Sequence, residues 1–251
     1  MRGLINGLSC LIALAMVCAP AEGGTLQDGL ERADHLAQND DAFPESSRQA
    51  LALHEQAAAM GPRDPRPWIR AARVCLALGD ANVDNALAWY ERGERAADRA
   101  LALKEDSADA HFYLAANRGN AVNLKPFWKV SPGILAELEQ HLARALALDS
   151  RHAPALHMMG MLLDRAPGAL RMLLVGKKEH VEDYLTRAAT AGPNYAYIQW
   201  SLAQFYVEKG RSAEAQAQAR KVVAMRTPID HRRWAAEFRP AADALLKKLS
   251  R

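Results

Sequence analysis

Residues 196–223 read AYIQWSLAQFYVEKGRSAEAQAQARKVV, and their spacing decides the fold. Apolar or small residues fall at Leu202, Ala203 and Tyr206. Gly210 then interrupts the run, and Ala215, Ala219 and Val222 recur at helical spacing beyond it. Two amphipathic helices joined by a tight turn are predicted. Ala203 and the later alanines sit where one helix must pass close to another. From Pro193 a further 34 residues reach Thr227-Pro228, where the pattern ends again.

Working outward, four segments end alike: AAAMGP (57–62), ALALKE (100–105), ALALDS (145–150) and AATAGP (188–193). Their last residues are spaced by 43, 45 and 43. Ten residues beyond each end lie Ala72, Ala115, Gly160 and Ala203, all small. Ala71, Leu114, Met159 and Leu202 precede them. Self-similarity at such a period marks a helical solenoid. A small residue at the eighth position of the first helix is the tetratricopeptide signature. The earlier units carry 9 to 11 residues more than the 34-residue repeat between their two helices.

The helices are expected in pairs over 26–38 and 45–59, 66–78 and 83–103, 108–122 and 132–148, 153–164 and 177–191, and 196–209 and 212–225. A last helix over 231–249 caps the stack, and its Lys247 and Lys248 suit a helix C-terminus. Proline at 62, 65, 67 and 132 fits helix starts and the turns before them. The fold class is all-α: a tetratricopeptide-like superhelix of about five helix pairs plus a C-terminal capping helix. Residues 22–251 form a single domain, since no Ser/Gly-rich linker divides them.

Composition agrees with this and excludes several functions. The chain has 251 residues, 50% hydrophobic and 24% charged, so it has ample core. Lys plus Arg is 32 against 29 for Asp plus Glu, with no clustered basic stripe, which argues against nucleic acid as a partner. The three cysteines, Cys10, Cys18 and Cys75, make neither a disulfide framework nor a four-ligand zinc site.

The N-terminus reads as a secretory signal over residues 1–21. Arg2 precedes an apolar run, Leu8 to Val17, and Ala19-Pro20-Ala21 offers a cleavage site after Ala21. Ten apolar residues are too few for a bilayer span, which needs about 20. The address is therefore the periplasm. Lipid anchoring through Cys18 is the lesser alternative, because Val17 is not the small residue a lipobox places before its cysteine. Cleavage leaves Cys75 alone, which suits an oxidising compartment if that thiol is buried.

Two stretches carry a resemblance to a known group. YERGERAADRALAL (90–103) followed by AHFYLAANRG (110–119) is similar to the T-component of TRAP transporters and related periplasmic tetratricopeptide proteins. Ala166-Pro167, Gly176-Lys177-Lys178, Tyr184-Leu185 and Ala188 add to the likeness, which covers roughly residues 45–250. The resemblance implies a secreted or lipid-anchored helical-repeat protein without enzymatic activity. It also implies an accessory role in solute-binding-protein-dependent uptake. The weak lipobox departs from the group.

In a superhelix of this kind, positions two, five, nine and twelve of each first helix face inward. They give Arg66, Ile69 and Arg73 in one unit, and Asp109, Phe112 and Ala116 in the next. His157 and Met161 follow, then Tyr197, Trp200 and Gln204. Arginines at one end suit a carboxylate, since Arg offers a planar donor fork. Aromatics at the other suit an apolar side chain or a peptide. Two inserts are further contact candidates. One carries Phe127 and Trp128 between lysines, the other an apolar run with Leu173 and Leu174. The second is also a possible surface for self-association.

His157 and Met161 share a helix face, but a Met-rich stretch inside a repeat is core more often than a copper site. No His-Glu-x-x-His stretch, phosphate loop or flanked nucleophilic serine occurs. No metal and no cofactor are expected. The reading is a non-enzymatic periplasmic scaffold for a protein partner, for which the resemblance implies a solute-binding protein. The alternatives are a carrier of a small apolar or carboxylate ligand, in the groove or an oligomeric pore, and a cell-envelope assembly scaffold.

Overall fold

A computed structural model describes residues 25–125, 133–165 and 181–250. The signal segment 1–21 with Cys18, and the insert residues Phe127, Trp128, Leu173 and Leu174, lie outside the described residues. Among the described residues ten helices pair in sequence. They are α1 (Leu26–Ala37) with α2 (Glu45–Met60), α3 (Arg66–Asp80) with α4 (Ala86–Leu103), α5 (Ala108–Asn123) with α6 (Ile134–Leu148), α7 (Ala153–Arg165) with α8 (Val181–Ala191), and α9 (Ala196–Glu208) with α10 (Ser212–Ala224). A final helix, α11, covers 231–249. There is no strand among the described residues. No helix among them is long and apolar enough to cross a membrane.

The repeat register places the core. Ala72, Ala115 and Ala203 are fully buried, and Gly160 is buried at the same position. A Cβ on Gly160 would stand 2.9 Å from Leu185 Cδ2, so α8 lies too close to α7 for any side chain there. The second helices answer with Ala97, Ala100, Ala145, Ala188 and Ala219, each without exposed surface. Small residues on both partners let the helix axes approach, and Leu142, Leu156, Leu185 and Leu202 fill the layers between.

Short polar caps end the helices cleanly. Thr25 and Asp28 form a capping box on α1. Asn85 and Ser107 each accept an amide at the start of α4 and α5. His152 Nδ1 accepts the amide of Ala155 at the start of α7. Gly210 turns the chain between α9 and α10 at φ 70°, a left-handed conformation that suits glycine.

The capping helix departs from the regular helix expected over 231–249. Trp234–Phe238 is a π-helical turn, with the Arg239 amide donating to the Trp234 carbonyl. Pro240 lacks the amide that would continue the ordinary ladder just beyond. Trp234 and Phe238 are both buried, and the Trp234 indole donates to the Val222 carbonyl at 2.7 Å.

The superhelix also curls back on itself. The Arg232 amide donates to Asp40 Oδ2 at 3.0 Å, across 192 residues of sequence. The Arg232 guanidinium lies 4.0 Å from the Phe43 ring centre. The α1–α2 connection and the start of α11 therefore touch.

Candidate functional site: the inner face

The first helices present two kinds of chemistry inward. At the N-terminal end Asp34 of α1 is the hub. Arg73 Nη2 donates to its Oδ1 at 2.8 Å, and Arg70 stands 3.0 Å from its Oδ2 as an ion pair without hydrogen-bond geometry. His54 of α2 is fully buried beneath them, with Nε2 3.8 Å from Asp34. Neither ring nitrogen of His54 has a hydrogen-bond partner among the described residues, and burial pushes its pKa down to about 4.

At the other end the chemistry is aromatic. Tyr113 of α5, Tyr195 at the N-cap of α9 and Tyr197 in its first turn are all half-buried. His157 of α7 meets the Tyr197 ring edge-on at 5.1 Å, and its Nε2 is 2.9 Å from Ser201 Oγ. His152 Nδ1 already accepts an amide, so its Nε2–H donates to Asp109 at 3.0 Å and holds that carboxyl below its usual range.

The two ends meet. Arg73 and Asp109 both act electrostatically on Tyr113 and Tyr195, and Tyr113 and Asp80 on Tyr197. Burial comes first among the causes that raise all three phenols. Yet no described residue hydrogen-bonds the hydroxyl of Tyr113, Tyr195 or Tyr197. The three O–H groups thus lie on the inner face open to solvent, with no hydrogen-bond partner among the described residues. Asp230, in the turn before α11, closes the wall. Its carboxylate accepts the Ala196 and Tyr197 amides at 3.0 and 3.2 Å and so caps α9 from 34 residues away. Burial raises its pKa in spite of those bonds.

The expected groove residues divide. Arg73, His157 and Tyr197 are brought together on the inner face. Arg66 is on the rim, clamped to Asp64 Oδ2 at 2.7 Å, and the carboxylates that Arg66 and Arg73 hold are those of their own chain. Ile69 is half-buried, and Met161 is half-buried against the central core. Gln204 is exposed. Phe112 and Ala116 are corrected: at 7% and 5% exposure they pack between helices, Phe112 against Tyr113 and His152. Trp200 is half-buried against the cluster of Trp234 and Phe238, because α11 folds over it.

The sequence reading missed Asp34, Tyr113, Tyr195 and Asp230. Asp34 lies in the first pair, where no preceding repeat end fixes the register. Tyr113 and Tyr195 lie at positions six and zero of their helices, outside the inward set. Asp230 carried one usable signal, its separation of one repeat period from Ala196. Among the described residues no group of three or more His, Cys, Asp or Glu side chains is placed to hold a metal ion.

Comparison with known proteins agrees with this architecture. A thermophilic tetratricopeptide protein of Thermus thermophilus, TTC0263, has a similar solved structure. It is 21% identical over 90% of this chain and 97% of its own, with a TM-score of 0.60, and the likeness is one of fold. PilW, described as a widely conserved type IV pilus biogenesis factor, is 18% identical over 86% of this chain and 90% of its own, at a TM-score of 0.49. YrrB, described as a tetratricopeptide protein with an unusual peptide-binding site, is 16% identical over 84% and 91%, at 0.44. No curated protein sequence matches the chain significantly. A family model does match, over residues 29–163, which run from α1 into α7 and make up more than half of the sequence. This tetratricopeptide-type superhelix is therefore a member of the regulator of microtubule dynamics protein 1-3 family.

Proposed function

We propose that the chain is a non-enzymatic scaffold that binds an extended segment of a protein partner along its inner face. One observation carries the reading. The hydroxyls of Tyr113, Tyr195 and Tyr197 converge there from two helix pairs, crowded by protein and without partners among the described residues. Hydroxyls of this kind complement backbone N–H and C=O groups, which an extended peptide offers along its whole length. The ionic groups beside them balance one another: the cations Arg70 and Arg73 face the carboxylates of Asp34 and Asp109, the last also hydrogen-bonded by the neutral His152 ring. A channel so balanced favours an uncharged segment over a strongly acidic or basic one.

The leader-like N-terminus supports a periplasmic address. With the T-component resemblance, it favours the solute-binding protein of a TRAP-type transporter as the partner. The family description supports a different partner, one from the microtubule system.

Peptides selected on the whole protein from a random library test the inner face. Tyr113→Phe plus Tyr197→Phe keeps the rings and removes two hydroxyls. Binding should weaken about tenfold or more, since each lost hydrogen bond is worth roughly 1 kcal/mol. Undiminished peptide binding would remove the inner face from the proposal. Selection of no peptide, with a small molecule co-purifying in its place, would favour the carrier reading. Retention of a solute-binding protein from periplasmic extract, or of purified tubulin, then separates the two partners.

A further inference from the structure

A cavity lies against Trp68, Ala71 and Cys75 of α3, none of which belongs to the inner-face groups. α2, α3 and α4 enclose about 190 Å³ between them. Its floor is apolar: Cys75 has no exposed surface, and Leu51 and Ala71 have almost none. Burial pushes the Cys75 thiol up to about 12, so it does not ionise at neutral pH. The rim is cationic. Arg92, Arg95 and Arg99 lie at i, i+3 and i+7 of α4 and so share one face.

The three arginines are not equivalent. Arg92 is forked onto Glu55, with Nη2 at 2.7 and 2.8 Å from the two carboxylate oxygens. Arg99 lies over the Trp68 ring at 4.6 Å, a cation–π contact that places it beside the cavity wall. Among the described residues no carboxylate lies within 4.0 Å of Arg95 or Arg99. Of the acidic residues on α4, Glu94 pairs with Arg118 and Glu91 with Lys125, while the exposed Asp98 forms no ion pair with Arg95 or Arg99. Glu55 cancels one charge and leaves two guanidinium groups facing a low-dielectric floor.

We propose that this cavity is an oxyanion-binding site that takes one phosphate or carboxylate group. The size sets the class. Sites for whole drug-sized ligands occupy roughly 300–1,000 Å³, so 190 Å³ admits a terminal group and leaves the rest of its molecule outside. Guanidinium forks match the oxygens of both groups in pairs, and the Trp68 contact already places Arg99 beside the cavity. Exposed arginines attract any anion through water, but the apolar floor and the Trp68 wall favour one seated between Arg95 and Arg99.

The test uses the whole protein at constant ionic strength, titrated separately with inorganic phosphate and with acetate. The readouts are the Arg Nε–H and Trp indole resonances. Arg95→Gln plus Arg99→Gln is the variant. Both positions are exposed, so its fold is retained, and peptide binding on the inner face checks this independently. Saturable shifts of Arg95, Arg99 and Trp68, weakened about tenfold or more in the variant, support the site. Tighter phosphate binding then assigns it to a phosphate ester, and equal or tighter acetate binding to a carboxylate. Linear drift without saturation, or saturation unchanged in the variant, overturns it.

Discussion

The two ends of the inner face use one repeat register for opposite purposes. In the first two helix pairs the inward groups are charged, and they pair with one another: Asp34 accepts a hydrogen bond from Arg73 and forms an ion pair with Arg70, and Arg66 holds Asp64. In the later pairs the inward groups are rings and hydroxyls. His157 finds Ser201 and His152 finds Asp109, but the hydroxyls of Tyr113, Tyr195 and Tyr197 find no partner among the described residues. The small residues that set the helix spacing are the same in both halves. The fold is therefore carried by positions that face the neighbouring helix, and the chemistry of the inward positions varies independently of it. The charged end is closed by its own chain, and the aromatic end is left for a partner.

The junction of the two halves should show the largest effect. Asn117 of α5 is fully buried, and its amide donates to the Ala72 carbonyl of α3 at 3.2 Å and to the Tyr113 carbonyl at 2.8 Å. Gly93 of α4 passes directly above it. A Cβ on Gly93 would overlap the Asn117 side chain, which has no room to turn away. Gly93→Ala should cost about 4 kcal/mol through overpacking and broken buried hydrogen bonds. Because repeats are coupled to their nearest neighbours, denaturant melts should also separate into two transitions. A single transition with less than about 1 kcal/mol lost would show that Asn117 does not lock the halves together.

A second difference is the response to acid. His54 has a folded pKa of about 4 against an ordinary 6.5, so the native state holds it neutral. Stability from the neutral imidazole is complete above pH 6.5. It is lost as pH falls towards 4, because the unfolded chain takes up the proton first. The loss reaches about 3 kcal/mol at its largest. His111 and His141, paired Nδ1 to Nδ1 at 2.9 Å near the middle of the chain, are lowered by burial and act in the same direction. His54→Leu should flatten part of the acid limb in thermal melts between pH 4 and 6.5 and leave the remainder. It also removes two buried nitrogens that have no partner among the described residues, so stability at pH 5 should rise. An unchanged pH profile would place the titration wholly elsewhere.

The difference between the halves also explains what the sequence made readable. Helix pairs are legible because Ala72, Ala115, Gly160 and Ala203 recur at a fixed offset, and close helix packing demands small residues there. Inward direction is legible for Arg73, His157 and Tyr197 by the same count. Burial depth is not: Phe112 and Trp200 share the inward set, but neighbouring helices cover them. Long-range closure is not legible either. Nothing local marks Asp40 as the acceptor for Arg232, or Asp34 as the partner of Arg73, because curvature set by many small helix rotations brings them together.

That closure yields a smaller effect. Asp40→Ala removes the acceptor of the Arg232 amide and the carboxylate 3.6 Å from His231. The contact is partly exposed, so about 1 kcal/mol is expected. The informative readout is shape. If this contact holds the ends together, small-angle scattering should show a larger radius of gyration in the variant, and peptides should leave the inner face faster. An unchanged radius would mean that the packing of α11 on α10 sets the curvature alone.

Arg66→Ala should change least, and it sharpens the contrast most cleanly. Arg66 was expected in the groove beside Arg73, but its guanidinium lies half-exposed on the rim, held by Asp64 and Gln27. An exposed pair of this kind contributes little, because water and salt screen it and a long arginine side chain must be held still. The midpoint of thermal unfolding should fall by no more than about 2 °C. Peptide affinity should not change, although the substitution removes a full charge near the channel mouth. Tyr197→Phe alters one oxygen atom and no charge, yet it should weaken binding more. That inversion follows only if the partner is recognised by the unsatisfied hydroxyls and not by the arginines, so measuring the two variants side by side decides between the two ends of the inner face.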